Sequence, residues 1–232
     1  MNFVSTHPGT LYIVATPIGN LGDMTLRAIE TLKSVDLIAS EDTRNSGRLL
    51  AHFGIKVPQT SYHDFNERQK APELINIMLR GQSIALISDA GTPLLSDPGF
   101  RLVNLSRSAG IDIVPIPGPS SILAGLVVSG FPSDSFCFEG YLPKSSGKLK
   151  RKLQELSAER RTIVFFETSF RIMKSLPVML EVFGDRELLI GRELTKKFEE
   201  KIRGRISELI ALLADRDIKG EIVIVVAGAE DK

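Results

Sequence analysis

The sequence predicts an α/β protein built from two α/β domains, and three observations lead to this fold class. Short, nearly continuous apolar runs alternate with amphipathic segments in the first half of the chain, which is typical of a parallel sheet with helices on both faces. The predicted strands become longer after residue 132, which favours a mixed sheet in the second half. The composition is that of an ordinary globular protein, with 43% hydrophobic and 25% charged residues in 232. A chain of this length is large enough for two small domains.

The elements of the first half follow one another as strand, loop and helix. Apolar runs of four to six residues predict the strands, and apolar residues three or four apart predict the helices. The predicted strands are 11–15, 36–40, 59–62, 83–87 and 111–115. Helices are predicted at about 24–33, from 43 toward 53, across Leu74, Ile77 and Met78, at 97–109 and at 122–129.

Ile116-Pro117-Gly118-Pro119-Ser120-Ser121 predicts the boundary between the domains, because two prolines within three residues end a strand and the serines can cap the next helix. We therefore expect an N-terminal domain at 1–118 and a C-terminal domain at 119–232. The second domain has predicted strands at 135–141, 162–166, 187–192, 201–204 and 221–227, with helices at about 148–159, 170–182 and 206–214.

The most informative segment is Ser88-Asp-Ala-Gly-Thr-Pro-Leu-Leu-Ser-Asp-Pro-Gly-Phe100, which follows the strand at 83–87. Two glycines and two prolines fix the backbone of this loop. Ligands of open α/β sheets bind outside the carboxyl ends of the strands, so Asp89, Gly91, Thr92 and Pro93 are candidates for binding a cofactor. Asp97 is expected to cap the following helix.

The other strand ends carry polar residues with two possible roles. The loop from Thr16 to Asp23 has neither G-x-G-x-x-G nor G-x-x-x-x-G-K-[ST], so it does not predict a dinucleotide or P-loop phosphate site. Glu41-Asp42-Thr43-Arg44 after the second strand favours a site, or Asp42 or Thr43 simply caps the next helix. In Gly191-Arg-Glu-Leu-Thr-Lys-Lys-Phe-Glu-Glu200, the charges form surface ion pairs or position a substrate hydroxyl.

Composition excludes several classes of protein. A net charge of +1 does not attract polyanions by itself, so RNA binding requires a local basic patch. One such patch is present, and its residues either contact phosphates or form a solvated helix face. They are Lys148, Lys150, Arg151 and Lys152.

The single cysteine, Cys137, is expected to be buried, and it excludes an internal disulfide and a Cys-rich zinc site. No metal site is predicted. Without a signal-like start or about 18 consecutive apolar residues, the expected location is the cytoplasm, with no membrane association.

Seven motifs, taken together and in this order, resemble the class III, tetrapyrrole-methylase-like methyltransferases, and among them the ribosomal RNA small subunit methyltransferase I family. They begin at Ala15 (ATPIGNLGDMTLRAIETL), Ala39 (ASEDTR), Ser61 (SYHDFNE), Ile87 (ISDAGTPLLSDPGFRLV), Pro115 (PIPGPSSILAGLVVSG), Phe138 (FEGYLP) and Gly191 (GRELTKKFEE). The resemblance spans almost the whole chain.

The resemblance implies a specific reaction and a set of site residues. It implies S-adenosylmethionine in the cleft between the domains and methylation of the ribose 2′-hydroxyl of a cytidine in the decoding region of 16S ribosomal RNA, within the small ribosomal subunit, by a homodimer. The implied cofactor contacts are Pro17, Asp89, Gly91, Thr92, Pro93, Ser120, Ser121, Phe166, Val226 and Ala227. The candidates for handling the proton of the hydroxyl, contributed by strand ends of both domains, are Glu41, Arg44, Glu193 and Lys196, with Glu167 as a further possibility.

One departure and two alternatives accompany this interpretation. At 166–171 the chain reads FETSFR, where the family often has an aromatic residue followed by Glu-Ser-Pro-His-Arg, so a role for histidine at position 170 is in doubt. The alternatives are a methyltransferase of the same fold that acts on a tetrapyrrole or another small molecule, and a non-catalytic protein that binds S-adenosylmethionine.

Overall fold

The computed structural model describes residues 7–230. These residues form two compact units, and the division falls between Ser120 and Ser121. The predicted boundary between residues 118 and 119 lies two residues earlier. The start of the chain, on which the expectation of no leader depended, lies outside the described residues. No helix in the described range is long and apolar enough to cross a membrane.

The first unit contains a five-stranded sheet in which every neighbouring pair is parallel. Its order is β3-β2-β4-β1-β5. The strands are β1 (Leu11–Val14), β2 (Leu37–Ser40), β3 (Gln59–Ser61), β4 (Ile84–Ile87) and β5 (Ile113–Ile116). The helices are α1 (Leu26–Ser34), α2 (Thr43–His52), α3 (Glu67–Leu79) and α4 (Phe100–Ser108), with a 3₁₀ turn at Leu21–Asp23. All five carboxyl ends therefore lie at one edge of the sheet.

Both faces of this sheet are buried, as the continuous apolar strands require. In β4, Ala85 and Ile87 belong to one apolar cluster, whereas Ile84 and Leu86 belong to the other. The first cluster includes residues of α1 and α2, and the second includes residues of α3 and α4. The sheet is thus covered by helices on both sides.

The second unit contains a mixed sheet of order β6-β7-β10-β8-β9. The strands are β6 (Phe136–Tyr141), β7 (Thr162–Thr168), β8 (Glu187–Arg192), β9 (Glu200–Arg205) and β10 (Glu221–Val226), and the helices are α5 (Ser121–Ser129), α6 (Ser146–Glu155), α7 (Ile172–Phe183) and α8 (Ile206–Leu213). Only β6 and β7 pair in parallel; the other pairs are antiparallel. The ends of β6, β7 and β8 therefore share one edge with the starts of β9 and β10. We call this edge the aromatic edge, after Tyr141, Phe170 and Phe198, which lie there.

The predicted fold class is confirmed, but two local expectations are wrong. Asp97 does not cap α4, because that helix begins at Phe100 and its N-cap is Gly99, which has no side chain to accept a hydrogen bond. Gly99 has a φ of 141°, and a Cβ there would lie within 2.9 Å of Leu86 and Leu94. The close packing of the loop thus sets the start of the helix. Cys137 is only partly buried, and burial raises the pKa of its thiol.

Gly125 allows α5 to approach the second sheet closely, which predicts a clear effect on stability. A Cβ at this position would lie 2.8 Å from a methyl group of Val223, a stiff β-branched residue. Overpacking costs about 1–3 kcal/mol, which we expect to exceed the gain of about 1 kcal/mol in helix propensity. Gly125→Ala should therefore lower the free energy of unfolding, measured by urea denaturation.

Gly147→Ala in α6 is the matched control, because nothing lies within 4 Å of its added Cβ. It should leave the free energy of unfolding unchanged or raise it by up to about 1 kcal/mol. Equal effects of the two substitutions would contradict the packing argument.

Candidate functional site

A two-hydrogen-bond bridge at the carboxyl edge of the first sheet fixes the loop after β4. The backbone N–H of Thr16 donates to the Gly91 carbonyl at 2.9 Å, and the N–H of Gly91 donates to the Thr16 carbonyl at 3.0 Å. Thr16 is fully buried, and its hydroxyl donates to the Ser88 carbonyl at 3.3 Å. Gly91 has a φ of 79°, which a residue with a side chain adopts only with strain. The bridge places Pro17, the next residue, beside this loop.

Asp89 connects this loop to the end of β2. One carboxylate oxygen accepts a hydrogen bond from the Asp42 backbone N–H at 3.2 Å, and the other accepts one from the Asn45 side-chain amide at 3.1 Å. Asp42 is the N-cap of α2, and its own side chain accepts from the Arg44 N–H at 2.8 Å. The capping interpretation of Asp42 is therefore confirmed. Asp89 still leaves acceptor capacity on both oxygens, because a carboxylate can accept about four hydrogen bonds.

Four carboxyl groups lie near one another at this edge, in three loops that are far apart in sequence. They belong to Glu41, Asp64, Asp89 and Asp97. Burial raises the pKa of Glu41, and the charges of Asp89 and Asp64 raise it further. Burial also raises the pKa of Asp97 to about 6; a hydrogen bond with Ser88 opposes this shift, and repulsion from Glu41, Asp89 and Asp64 adds to it. The charge of the cluster therefore favours a cation nearby. Among the described residues, no three or more His, Cys, Asp or Glu side chains lie close enough together to hold a metal ion.

Arg44 is largely exposed and pairs with its neighbour Asp42. The Arg44 Nη2 lies 2.7 Å from the Asp42 carboxylate. Hydrogen bonds with Arg44 lower the pKa of Asp42 to about 2, and the same contact raises the pKa of Arg44. Arg44 thus remains charged and cannot accept a proton from a substrate.

The rest of the loop after β4 is held in strained conformations. The Thr92 hydroxyl donates to the Pro119 carbonyl at 3.3 Å, so the loop contacts the residue before Ser120. Pro93 is buried, and Leu94 and Ser96 have φ values of 74° and 69°. Among the described residues, Leu94, Ser96, Glu193 and Thr195 are the only non-glycine residues with positive φ. Two lie in this loop and two in the loop between β8 and β9. Strained backbone of this kind concentrates at functional sites.

In the second unit, Glu193 and Lys196 belong to a closed ion-pair network. Lys196 Nζ lies 3.0 Å from the Glu193 carboxylate and 2.9 Å from that of Glu221. Burial opposes ionisation of both residues. Hydrogen bonds with Glu221 and Glu193 nevertheless raise the pKa of Lys196, and contacts with the Glu221 backbone and Lys196 lower that of Glu193. Both groups therefore stay ionised. This agrees with one of the two alternatives from the sequence, in which these charges form ion pairs.

Glu167 forms a buried ion pair with Arg171 at the end of β7. Its side chain is completely buried, and it also contacts the Ser175 hydroxyl. The Thr168 backbone N–H donates to it at 2.8 Å. These contacts hold the start of α7 against the end of β7, and they leave Phe170 of the divergent segment 87% exposed.

The second unit does not bring Phe166 together with Val226 and Ala227. Phe166 lies opposite Val223, and its ring packs against Phe138 and Tyr141. Val226 lies opposite Ile163, three residues away along the sheet, and its side chain is in the apolar core. Val226 is completely buried, so its side chain cannot contact a ligand, whereas Ala227 is partly exposed. Ser121, the remaining predicted contact, begins α5.

The basic segment at 148–152 contains two lysines that form ion pairs and two basic residues that form none among the described residues. Lys150 pairs with Glu181, and Lys152 lies 2.6 Å from the Glu139 carboxylate. Lys148 and Arg151 are exposed and have no ion pair in the part of the chain that the structure describes. They lie three residues apart in α6, and therefore on one face of the helix.

Sequence reasoning missed three members of the first site. Asn45 holds Asp89, Asp64 adds charge next to Glu41, and Asp97 was assigned to a helix cap. His63 is also adjacent, because its charge affects the pKa of Glu41. The signal was present in the motif at 61–67, which follows β3 at the same edge of the sheet as Glu41.

Comparisons with known proteins give a consistent result. The family profile described as Tetrapyrrole (Corrin/Porphyrin) Methylases matches residues 10–210. The chain is 53% identical over 224 residues to the ribosomal RNA small subunit methyltransferase I of Vibrio cholerae, covering 95% of this chain and 78% of that protein. It is 51% identical over 223 residues to the protein of the same name from Haemophilus influenzae, covering 95% and 79%.

Solved structures show the same fold at low identity. The uroporphyrin-III-C-methyltransferase of Thermus thermophilus superimposes with a TM-score of 0.65 at 19% identity, covering 94% of each chain. A cobalt precorrin-4 methyltransferase superimposes with a TM-score of 0.66 at 18% identity, covering 94% of each chain. At this identity the likeness concerns the fold alone.

The raised pKa of Asp97 predicts how stability changes with pH. A carboxyl whose pKa is raised in the folded state stabilises the protein below its unfolded pKa, and that stabilisation is lost as pH rises through the folded value. Asp97 should therefore destabilise the protein progressively between about pH 4 and pH 6. Asp97→Asn should raise the free energy of unfolding at pH 7.5 by at most about 3 kcal/mol, and by much less at pH 4.

Urea denaturation at both pH values measures this difference. Asp112→Asn, an exposed aspartate just before β5, is the control and should have little effect at either pH. An Asp97→Asn effect that is the same at pH 4 and 7.5 would show that the substitution acts through packing instead of charge.

Proposed function

The chain belongs to the ribosomal RNA small subunit methyltransferase I family, within the tetrapyrrole methylases, and from this membership we propose its reaction. It is an S-adenosylmethionine-dependent methyltransferase of small-subunit ribosomal RNA. We propose that it methylates the ribose 2′-oxygen of a cytidine in the decoding region of 16S ribosomal RNA. We further propose that the substrate is the RNA within the small ribosomal subunit, and that the enzyme is a cytoplasmic homodimer.

The acidic cluster at the first unit's carboxyl edge is the observation that supports the cofactor in this proposal, whereas the family membership supports the RNA substrate. S-adenosylmethionine supplies a methyl group on a positively charged sulfonium, and it has no phosphate. Burial raises the pKa values of Glu41 and Asp97, and repulsion from neighbouring carboxylates adds to both shifts. A cation placed among them relieves this repulsion. The residues therefore fit a cationic cofactor and would disfavour a phosphate.

The loop after β4 supports the same assignment through its backbone. We propose that Pro17, Asp89, Gly91, Thr92 and Pro93 hold the cofactor. Gly91 is already fixed by its bridge to Thr16, and Asp89 by Asp42 and Asn45. A site that is rigid before binding loses little conformational entropy when the ligand arrives. Ser120, Ser121, Phe166, Val226 and Ala227 remain proposed contacts from the resemblance.

We propose Glu41 as the group that accepts the proton from the 2′-hydroxyl. A general base works best when its pKa lies near the working pH, and Glu41 is the one candidate of the four whose pKa is shifted in that direction. Arg44 and Lys196 have raised pKa values, and Glu193 has a lowered one, which suits all three to structural ion pairs. As Glu41 takes the proton, the ribose oxygen becomes the nucleophile.

Transfer of tritium from methyl-labelled S-adenosylmethionine tests the proposed function. The acceptors are assembled small subunits, naked 16S RNA and a tetrapyrrole such as uroporphyrinogen. Labelled RNA is then hydrolysed with alkali, which leaves the phosphodiester beside a 2′-O-methyl ribose intact. Label in an alkali-stable dinucleotide supports the proposal. Label in the tetrapyrrole, or in a base, would overturn it.

Glu41→Gln should lower the single-turnover rate of methyl transfer by about 10²- to 10⁴-fold, the usual contribution of a general base. Affinity for S-adenosylmethionine, measured by calorimetry, should change only a few-fold. The wild-type rate should increase with pH until Glu41 is ionised, and the variant should lose this dependence.

Glu30→Gln, an exposed substitution in α1, is the control and should retain the wild-type rate. Glu193→Gln should lower the melting temperature instead, because it disrupts an ion-pair network. A large loss of rate in Glu193→Gln with none in Glu41→Gln would assign the base to the second unit.

The basic helix α6 is the proposed phosphate-binding element, and its ion pairs predict which charges contribute. Lys148→Ala with Arg151→Ala should lower the slope of log affinity against log salt by about two units, one for each phosphate that the protein no longer neutralises. Lys150→Ala with Lys152→Ala should lower it by less, because Glu181 and Glu139 already pair with these lysines.

Fluorescence anisotropy with a labelled 16S RNA fragment, at about 50 to 200 mM salt, measures this slope. Affinity for S-adenosylmethionine is the control and should be equal in both double variants. Unchanged slopes in both would mean that α6 is only a solvated surface.

A further inference from the structure

Two exposed phenylalanines lie at the aromatic edge of the second unit, where no assigned function uses them. Phe170 lies two residues after the end of β7 and is 87% exposed, and Phe198 lies two residues before the start of β9 and is 67% exposed. Tyr141, the last residue of β6, is 56% exposed at the same edge. Large exposed aromatic residues grouped in this way usually mark a binding surface.

The loop that carries Phe198 is rigid. Leu194 is anchored in the protein interior, with 7% of its surface exposed, and Glu193 and Thr195 hold positive φ angles. The Thr195 N–H donates to the Glu199 carboxylate at 2.7 Å, and the Arg192 guanidinium donates to the Phe198 carbonyl at 3.2 Å. The Phe198 ring is thus held out to solvent by a fixed backbone, which is the arrangement of a preformed binding residue.

The charges around these rings favour an anionic partner. Every glutamate beside these strand ends already has a basic partner: Glu167 pairs with Arg171, Glu193 and Glu221 with Lys196, Glu199 with Lys201, and Glu200 with Arg192 and Arg216. Lys174 and Lys197 have no acidic partner in the described part of the chain. Lys197 Nζ lies 5.6 Å from the centroid of the Phe198 ring, and Lys174 lies in the first turn of α7, four residues after Phe170.

We propose that Phe170 and Phe198 are stacking platforms for the bases of a single RNA strand that runs along the aromatic edge. Binding of single-stranded RNA combines aromatic rings that stack on bases with cations that contact the backbone, and this edge provides both. Phe170 and Phe198 lie at strand ends three strand spacings apart, or roughly 14 Å. Four stacked nucleotides span about the same distance.

We call the proposed path of the RNA strand along the aromatic edge the stacking track. Elements already described define its ends. The chain leaves the sheet at this edge after Tyr141 and enters α6 at Ser146, so the exposed Lys148 follows the β6 end by seven residues. An extended strand that contacts Lys148 can therefore continue past Phe170 toward Phe198. This inference rests on the proposed function, because it takes RNA as the substrate, and it specifies an unpaired strand as the form that binds.

Binding of a fluorescein-labelled eight-nucleotide single-stranded RNA tests the proposal. Phe170→Ala and Phe198→Ala should each weaken affinity by about 5- to 100-fold, the loss associated with one stacked base. Phe198→Trp should retain affinity, whereas Phe198→Leu should lose it, because leucine keeps the apolar surface but has no aromatic face. Lys197→Ala should lower the salt slope by about one unit.

Phe131→Ala is the matched control. The Arg203 guanidinium carbon lies 4.7 Å from the centroid of the Phe131 ring. Arg203 also pairs with Glu187 at the start of β8, toward the opposite edge of the same sheet. RNA affinity should be unchanged in this variant. Melting temperature and affinity for S-adenosylmethionine confirm that each variant is folded.

The outcomes separate this inference from the proposed function. If the wild type methylates small subunits and binds the oligonucleotide, but Phe170→Ala and Phe198→Ala bind equally well, the stacking track is wrong and the function stands. If the wild type transfers no methyl group to RNA, the proposed function itself fails. A shift in sedimentation with unchanged RNA affinity in the phenylalanine variants would identify this edge as an interface between copies of the chain and overturn the proposal.

Discussion

The pair of hydrogen bonds between Thr16 and Gly91 is the constraint on which the first site depends. β1 and β4 are neighbours and run in parallel, so their chains leave the sheet side by side. The positive φ of Gly91 turns the second chain back, which lets the two backbones pair antiparallel for one residue. Both polar groups of each residue are satisfied in this way although Thr16 is buried. Without the bridge, Asp89 would not be held in reach of α2.

The loop that this bridge fixes also holds part of the acidic cluster in place. Asp89 accepts hydrogen bonds from the start of α2, and this contact fixes the segment that contains Glu41. Burial is the main cause of the raised pKa values of Glu41 and Asp97, and the repulsion between carboxylates that the loops hold together adds to both shifts. A cation bound among these groups would reduce the repulsive part of this cost.

The two units differ in whether the carboxyl groups at their strand ends are paired with basic residues. In the first, carboxyl groups at the strand ends remain largely unpaired by basic residues, which suits a cationic cofactor. In the second, the glutamates at the aromatic edge are matched by arginines and lysines, and the lysines left over suit a polyanion. Each unit also contains one loop with two strained non-glycine residues. In the loop between β8 and β9, the strain is tolerated because the buried Leu194 and the hydrogen bonds of Thr195 and Phe198 fix the backbone.

The sequence by itself determined the elements and the family. β8 begins and ends at the residues that the apolar pattern predicts, and Asp42 caps α2 as its position suggests, because both depend on residues close in the chain. The glycines and prolines of the loop after β4, together with its position at the carboxyl end of a strand, predict a candidate site there. Local preference thus carried most of the secondary structure and the position of the first site at the edge of the sheet.

Only the tertiary structure decided which of these residues act together. Asp97 joins the acidic cluster instead of capping α4, because Gly99 must pack against Leu86 and Leu94. Lys150 and Lys152 are paired, whereas Lys148 and Arg151 are not, because Glu181 and Glu139 are brought to α6 from other elements. The pKa of Glu41 depends on Asp89 and Asp64, which are distant in the chain. Charge interactions act through space, so a pattern read along the chain gives the residue types at an edge but not their partners.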